Sequence, residues 1–249
     1  MKEVKIILSG CCGRLGSYVA SLAEERGCRI VCGVDVTAGD GSFPVYGSFA
    51  EVTEEADVTV DCSHHSLTGE LLEFVTARRM PVVICTTGHT TDEEDAIRAA
   101  SRLVPTLRSR NMSLGINLLM ELVKKAAAAL GENFDIEVVE AHHKRKLDAP
   151  SGTALMLADA AREVREDAEY IYDRHTVRRE RDSREIGIHS IRGGTIVGEH
   201  SVIFAGEDEV ITLSHSAGSR RLFAAGALSA ARFLMDKPAG LYTMGDVVK

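Results

Sequence analysis

Tryptophan is absent from the 249 residues, proline occurs five times, and aromatic residues make up only 5% of the chain. So little proline excludes a collagen-like or Pro-rich spacer. Cysteine is missing beyond position 85. The six that occur (Cys11, Cys12, Cys28, Cys32, Cys62, Cys85) form no CxxC pair and have no histidine at zinc-finger spacing. Neither a disulfide framework nor a structural metal is therefore expected, and the thiols read as small buried apolar groups. Long hydrophobic runs are lacking too. No stretch approaches the roughly 18 apolar residues of a membrane span, and Ile6 to Leu8 in MKEVKIILSG fall short of the roughly 7–15 of a signal-peptide core. A cytoplasmic protein with no membrane partner is expected. Twenty-nine Lys and Arg against 37 Asp and Glu leave a net charge of −8, so no global positive field gathers nucleic acid, and an anionic ligand needs a local site.

What is present is a soluble globular composition, 45% hydrophobic and 27% charged, at a length suited to one large domain or two small ones. In the first half, β-branched runs at 4–9, 29–34, 57–62 and 81–85 alternate with helical patterns at 15–26, 67–79 and 92–103. This βαβαβ rhythm, with strands apolar on both faces, predicts a Rossmann-like α/β domain built on a doubly wound parallel sheet. After Ser113 the rhythm changes. A helix at 117–130, a strand at 135–141 and a helix at about 152–165 precede successive strands at 185–191, 199–204 and 209–215. A second, α+β domain follows, and the helix at 221–234 fits either.

The turn Gly10-Cys11-Cys12-Gly13-Arg14-Leu15-Gly16 leaves the first strand and opens the first helix. Glycines there let the backbone approach a pyrophosphate, whose charge meets free N–H groups and the positive end of the helix dipole. Asp35 ends the second strand 19 residues after Gly16, where an acid accepts hydrogen bonds from ribose hydroxyls. The GxxGxxG spacing is also compatible with a structural turn. Val36 offers no cation for a 2′-phosphate, so NADH is expected in preference to NADPH. Thr86-Thr87-Gly88 and Arg110-Asn111-Met112-Ser113 follow later strands, where ligands of open α/β sheets gather. Ordinary turn chemistry accounts for them equally well.

The densest constellation runs from Glu140 through His142, His143, Lys144, Arg145 and Lys146 to Pro150-Ser151-Gly152-Thr153. Cations leave a strand, and Ser-Gly-Thr opens a helix able to cradle an anion. A carboxylate site with His or Lys as proton donor fits, as does a capped helix after a solvated basic loop. Residues 174–184 carry five arginines interrupted by Glu180 and Asp182, and read as a solvated loop or an anion site. His64-His65 and Glu199-His200 supply no metal-ligand spacing, so no metal is expected.

With GCCGRLG, VDCS, TTGH, NMSLGIN, EAHHKRKLDAPSGTA, IRGGTIVGEHSVIFAG and GLYTMGDVV on nearly its whole length, the chain resembles the 4-hydroxy-tetrahydrodipicolinate (dihydrodipicolinate) reductases. The resemblance implies NAD(P)H-dependent reduction of 4-hydroxy-tetrahydrodipicolinate, a cyclic dicarboxylate, in diaminopimelate and lysine biosynthesis. It further implies a nucleotide domain of residues 1–113 plus 221–249, and a substrate-binding and tetramerising domain of residues 114–220. His142 takes the place of the catalytic proton donor and acceptor, and Lys146 that of the proton donor. His143 and the segment Ser151, Gly152, Thr153 correspond to substrate contacts. Gly10 to Gly16, Asp35, Thr86 to Gly88 and Arg110 to Ser113 correspond to cofactor contacts. Departures from the pattern are Cys85 in place of a glycine, Arg110 in place of a small residue or proline, and the arginine-rich stretch. The rival readings are another two-domain dehydrogenase and a non-catalytic dinucleotide sensor.

Overall fold

The computed structural model describes residues 3–37, 42–176 and 178–249. It divides into two compact units, Met1–Leu114 with Arg220–Lys249, and Gly115–Ser219.

In the first unit the order is β1 (Val4–Ser9), α1 (Arg14–Leu22), β2 (Cys28–Val34), β3 (Val45–Tyr46), β4 (Val58–Asp61), α2 (Thr68–Ala77), β5 (Val82–Ile84), α3 (Thr91–Ala100) and β6 (Pro105–Arg108). The strands form one parallel sheet in the order β12-β6-β5-β4-β1-β2-β3, its far edge supplied by β12 (Gly240–Tyr242) beside β6. Alternation along each strand feeds two cores. Ile6, Leu8, Val58, Val60 and Val83 face one cluster with α1 residues, whereas Ile7, Val82 and Ile84 join Leu71, Val75 and Ile97 of α2 and α3 on the other side. Both faces are covered, which is why these strands read as continuous apolar runs.

The second unit holds most of α4 (Leu114–Leu130), then β7 (Asp135–His142), α5 (Gly152–Arg162), β8 (Glu169–Ile171), β9 (Glu185–Arg192), β10 (Glu199–Ala205) and β11 (Val210–Ser216). Its sheet is mixed, in the order β11-β10-β7-β9-β8. β7 and β8 run parallel to β9, and β10 runs antiparallel to β7 and β11. Ile136, Val138, Ile186, Ile188, Val202 and Phe204 of this sheet pack on Ile116, Leu119 and Val123 of α4 and on Ala154, Leu157 and Ala158 of α5. Helix α6 (Arg221–Leu234), left open by the sequence, belongs to the first unit, where Ala224, Ala227 and Leu228 complete the α1-side core; α7 (Met244–Val248) follows it.

Most elements expected from the sequence form within a few residues of their expected bounds. The main difference is α1, which stops at Leu22. Glu24–Arg26 make a 3₁₀ turn ended by Gly27 in the left-handed region, so the expected helix to Arg26 is two pieces. The short strands β3, β8 and β12 carry too little pattern of their own to be seen before their sheet neighbours are known. Four cysteines are buried as expected, but Cys62 is half-buried and Cys12 exposed; all six are free thiols.

The arginine-rich stretch is largely exposed, as a solvated loop would be, but most of its cations are already paired within the chain. Arg174 and Arg179 pair with Glu185, Arg181 reaches Asp135 (2.7 Å), Glu137 (3.1 Å) and the Ile136 carbonyl (2.9 Å), and Arg184 holds Asp182 (3.1 Å). Asp135 and Glu137 of β7, Glu185 at the start of β9 and Asp182 within the stretch take up part of this charge. Val177 lies outside the described residues.

Candidate active site

At the end of β1 the chain turns through Gly10, whose φ is +70°. A Cβ there would stand 2.6 Å from the carbonyl carbon of Cys62, and one on Gly16 only 2.1 Å from the Gly10 oxygen. The turn is therefore drawn tightly against the end of β4 and the first turn of α1, which only glycine permits. Gly13 is the N-cap of α1, and no side chain caps that end. First-turn N–H groups of a helix have no intrahelical acceptor, so an uncapped end suits a pyrophosphate. Arg14 is exposed and Leu15 half-buried.

The two cysteines of the turn differ in role. Cys11 is buried in the core, where burial first and the Cys12 thiol second push its pKa to about 12; Cys12 is exposed. The Cys12 N–H donates to Asp35 Oδ2 (2.9 Å) and the Thr37 N–H to Oδ1 (3.0 Å). Asp35 thus holds the glycine turn to the end of β2. Each carboxylate oxygen keeps further acceptor capacity. Val36, beside it, is 86% exposed.

Beyond β5, Thr86 is buried and donates its hydroxyl to Asp61 Oδ2 (2.6 Å), while Thr87 and Gly88 are exposed. Asp61, at the end of β4, also accepts from the Ser63 hydroxyl (2.5 Å) and the Ser63 N–H (3.2 Å). Sequence reasoning did not single out this buried acid, although it stands in the quoted VDCS. The side chain of Cys85 joins the apolar core, where Cys62 is its hydrogen-bonding neighbour. After β6, Arg110 is exposed whereas Asn111, Met112 and Ser113 are buried. Asn111 Oδ1 accepts from the Ser113 N–H (2.9 Å), and the Met112 carbonyl lies so near α6 that a Cβ on Gly226 would be 1.7 Å away.

In the second unit the core face of the sheet changes character along its strands. Ile136 and Val138 are followed on the same face by Glu140 and His142, since alternate residues of a strand share a face. The register sets Ser190 and His200 beside Glu140, Arg192 beside His142, and His215 beside His200. This polar end meets the start of α5.

Glu140 is fully buried. It accepts from Arg192 Nη1 and Nη2 (2.8 and 2.7 Å) and from the Ser151 N–H (3.1 Å), and its Oε2 lies 2.6 Å from His142 Nδ1. Burial alone raises a carboxyl pKa. Here the hydrogen bonds from Arg192, His142, Ser190 and Ser151 outweigh it and hold Glu140 at about 2. Ser151 is the N-cap of α5, its Oγ accepting from the Ala154 N–H (3.2 Å) and lying 3.1 Å from His200 Nε2. Gly152 and Thr153 form the first turn, and a Cβ on Gly152 would meet nothing within 4 Å. The His200 ring stands edge-on to that of His142 at 5.1 Å. Burial, then the neighbouring His142 charge, lower its pKa to about 4.

The loop after β7 is tied to the turn after β9: the Gly193 N–H donates to the His142 carbonyl (2.9 Å) and the Lys144 N–H to the Gly194 carbonyl (3.3 Å). The His143 carbonyl accepts from the Lys146 N–H (3.0 Å), and Lys146 Nζ pairs with Asp148 Oδ1 (2.9 Å), holding that carboxyl below its usual range. Arg192 Nη2 also donates to the Asp148 carbonyl (2.7 Å). The expected residues His142, His143, Lys146, Ser151, Gly152 and Thr153 therefore lie in one connected stretch of the second unit. Arg192 and His200 were missed. They stand in the quoted IRGGTIVGEH, but 52 and 60 residues from Glu140, and nothing local marks their pairing.

A doubly wound parallel sheet with a glycine turn and an uncapped helix at the end of its first strand, joined in one chain to an α+β unit bearing a histidine–carboxylate cluster, defines the class of two-domain nucleotide-dependent oxidoreductases. Within that class, residues 4–112 match the family described as dihydrodipicolinate reductase, N-terminus, and residues 115–248 its C-terminus. The chain belongs to the dihydrodipicolinate reductase family. It is 53% identical to the 4-hydroxy-tetrahydrodipicolinate reductase of Caldanaerobacter subterraneus subsp. tengcongensis, over 99% of this chain and 98% of that one. It is 44% identical to the reductase of the same name from Clostridium novyi, over 98% of each. Among solved structures, the dipicolinate-bound dihydrodipicolinate reductase from Paenisporosarcina sp. TG-14 shares the fold. The TM-score is 0.82 at 24% identity, over 98% of each chain. No helix among the described residues is long and apolar enough to cross a membrane.

Proposed function

We propose that the chain reduces 4-hydroxy-tetrahydrodipicolinate to tetrahydrodipicolinate, with His142 and Lys146 handling the proton. It is an NAD(P)H-dependent oxidoreductase of diaminopimelate and lysine biosynthesis. The observation that carries the site assignment is the meeting of the His142–Glu140 pair with the start of α5 at Ser151. Charge, acid and anion cradle come together there.

Replacing the ring hydroxyl by hydrogen consumes one hydride and one proton and releases one water, so an acid must stand at the ring. When bound, the reduced nicotinamide supplies the hydride. His142, held through Nδ1 by Glu140, offers Nε2 for the proton, and imidazole is the side chain most often used as a general acid or base. The Lys146 ammonium, paired here with Asp148, exchanges that partner for a substrate carboxylate and serves as a second donor. His143 contacts the substrate, and Ser151, Gly152 and Thr153 hold its other carboxylate at the positive end of α5.

The dinucleotide is held by Gly10, Cys11, Cys12, Gly13, Arg14, Leu15 and Gly16 at its pyrophosphate, by Asp35 at the adenosine ribose, and by Thr86, Thr87, Gly88, Arg110, Asn111, Met112 and Ser113 towards the nicotinamide. Cys11, Thr86, Asn111, Met112 and Ser113 act from behind, since their side chains are buried. NADH is preferred, because a 2′-phosphate would stand beside the Asp35 carboxylate with exposed Val36 offering no cation. The second unit forms a homotetramer through the sheet face opposite α4 and α5. That face carries Glu137, His189, Ile191, Ser201 and Ile203, and Ile191 is exposed in the single chain.

A coupled assay with freshly generated 4-hydroxy-tetrahydrodipicolinate, following NADH and NADPH oxidation separately, tests the reaction. Turnover with NADH ahead of NADPH is expected, and oxidation of neither sinks the reading. Light scattering tests the assembly; a monomer at micromolar concentration overturns it.

A further inference from the structure

We propose that Glu140 and Arg192 are positioning residues for the reaction. Glu140 fixes the tautomer of His142 so that Nε2 is the nitrogen exchanging the proton, and Arg192 fastens Glu140 to the loop that carries Lys146. The inference rests on the assignment of His142 to proton transfer.

An ionised carboxylate can only accept hydrogen bonds, and a neutral imidazole has one N–H. At 2.6 Å from Glu140 Oε2, Nδ1 must be the donor in both charge states of the ring, and the exchangeable proton belongs to Nε2. That nitrogen faces Gly198, where a Cβ would stand 3.1 Å away and crowd it. Glu140 is held ionised by Arg192, which binds both its oxygens. The same Nη2 of Arg192 reaches the Asp148 carbonyl, and the Asp148 side chain pairs with Lys146. One guanidinium thus sets the place of both groups proposed to move protons.

The surroundings of His142 support this division. The charged or titratable groups around it are Glu140 on its own strand, Arg192 opposite it on β9 and His200 on β10, with His215 of β11 beside His200 and the Lys146–Asp148 pair on the loop that follows. His200 and His215 are both pushed towards the neutral form by burial. Glu140 is left as the negative group in contact with the ring. Removing its charge disfavours the imidazolium and moves the pH profile to lower pH.

The test has two arms. In ¹⁵N-histidine NMR of the substrate-free protein, the wild type is expected to show His142 with a protonated, hydrogen-bonded Nδ1. An Nε2–H neutral tautomer overturns the proposal whatever any variant does. In steady-state kinetics, Glu140→Gln is expected to lower kcat tenfold or more with KM for the substrate within about threefold. Its kcat/KM profile should shift at least half a pH unit downward, and Glu140→Asp should recover part of the loss. Arg192→Gln is expected to raise KM and lower kcat together. Wild-type kcat and pH profile in Glu140→Gln overturn the proposal. Should that variant fail to fold because Arg192 is left unpaired, the double variant Glu140→Gln/Arg192→Gln removes both charges and is read against the same outcomes. Absence of turnover in the wild type counts against the reaction, whereas the NMR arm decides the tautomer independently.

Discussion

The two units build their sites by opposite means. In the first unit the glycine turn, the uncapped start of α1 and the carbonyl of Met112 are backbone, and side chains such as Asp35 and Asp61 hold that backbone in shape. In the second unit the backbone is a regular strand and helix start, and the polar groups are side chains brought together across β7, β9 and β10. Backbone N–H groups suit an anion shared by every dinucleotide. Side chains of adjustable charge suit a step in which a proton moves. The first unit should therefore fail through affinity and stability, and the second through rate and pH.

The largest expected effect breaks the second unit alone. His142→Gln should lower kcat roughly 100-fold or more, the scale of a general acid, and leave the NADH Kd within about twofold. Stopped-flow kinetics and fluorescence titration separate the two, and an unaltered kcat removes His142 from the mechanism. The mirror experiment is Gly16→Ala. Its Cβ falls on the Gly10 carbonyl, so the turn must open, at a cost of about 1–3 kcal/mol in overpacking. A lower Tm and a weaker NADH Kd are expected, with little change in kcat at saturating cofactor. An unchanged Kd would show that the turn does not shape the cofactor site.

A smaller effect sharpens the role of Asp35. Replacing Asp35 by Ser and Val36 by Arg removes a repulsion and adds a charge-assisted contact, and should move the kcat/KM ratio towards NADPH by about 1–3 kcal/mol. A wild type already using NADPH tenfold better defeats this reading of Asp35. Because Asp35 also holds the Cys12 N–H, the Tm of the double variant should fall, tying specificity to the shape of the turn.

The smallest expected effect is acid stability. His200 falls from 6.5 to about 4 in the folded chain and Glu140 from 4.5 to about 2. In both cases the unfolded chain binds more protons between the two values, so stability is present above the unfolded pKa and is lost as pH falls. His200 contributes loss between 6.5 and 4, and Glu140 between 4.5 and 2. Thermal denaturation from pH 7 to 3 should show His200→Gln with a flatter slope in the upper window, by roughly 2–4 °C for each kcal/mol involved. An identical slope would show that His200 is already charged in the native state.

How much of this was legible in the sequence follows the same division. The turn at Gly10 to Gly16 and its pairing with Asp35 could be read because they depend on a short segment and one neighbouring strand. The helix start at Ser151 was equally local. Glu140 stood in view two residues before His142, on the same strand face, yet its importance depends on Arg192, and the pairing of Arg181 with Asp135 and Glu137 was equally hidden because those acids lie on β7.

By itself the sequence determined the alternation of strands and helices, the change of rhythm after Ser113, and the placing of glycines where a Cβ could not be accommodated. These are properties of neighbours in the chain, fixed by side-chain period and local sterics. Only the tertiary structure decided which acids meet which bases. Register between strands some fifty to sixty residues apart set Arg192 and His200 around Glu140 and His142, and no local preference encodes that register. A one-residue slip of β9 or β10 would turn these side chains to the opposite face of the sheet. It would bring Ile188, Val202 and Phe204 out of the core as well, so the burial of the apolar residues holds the polar ones in place.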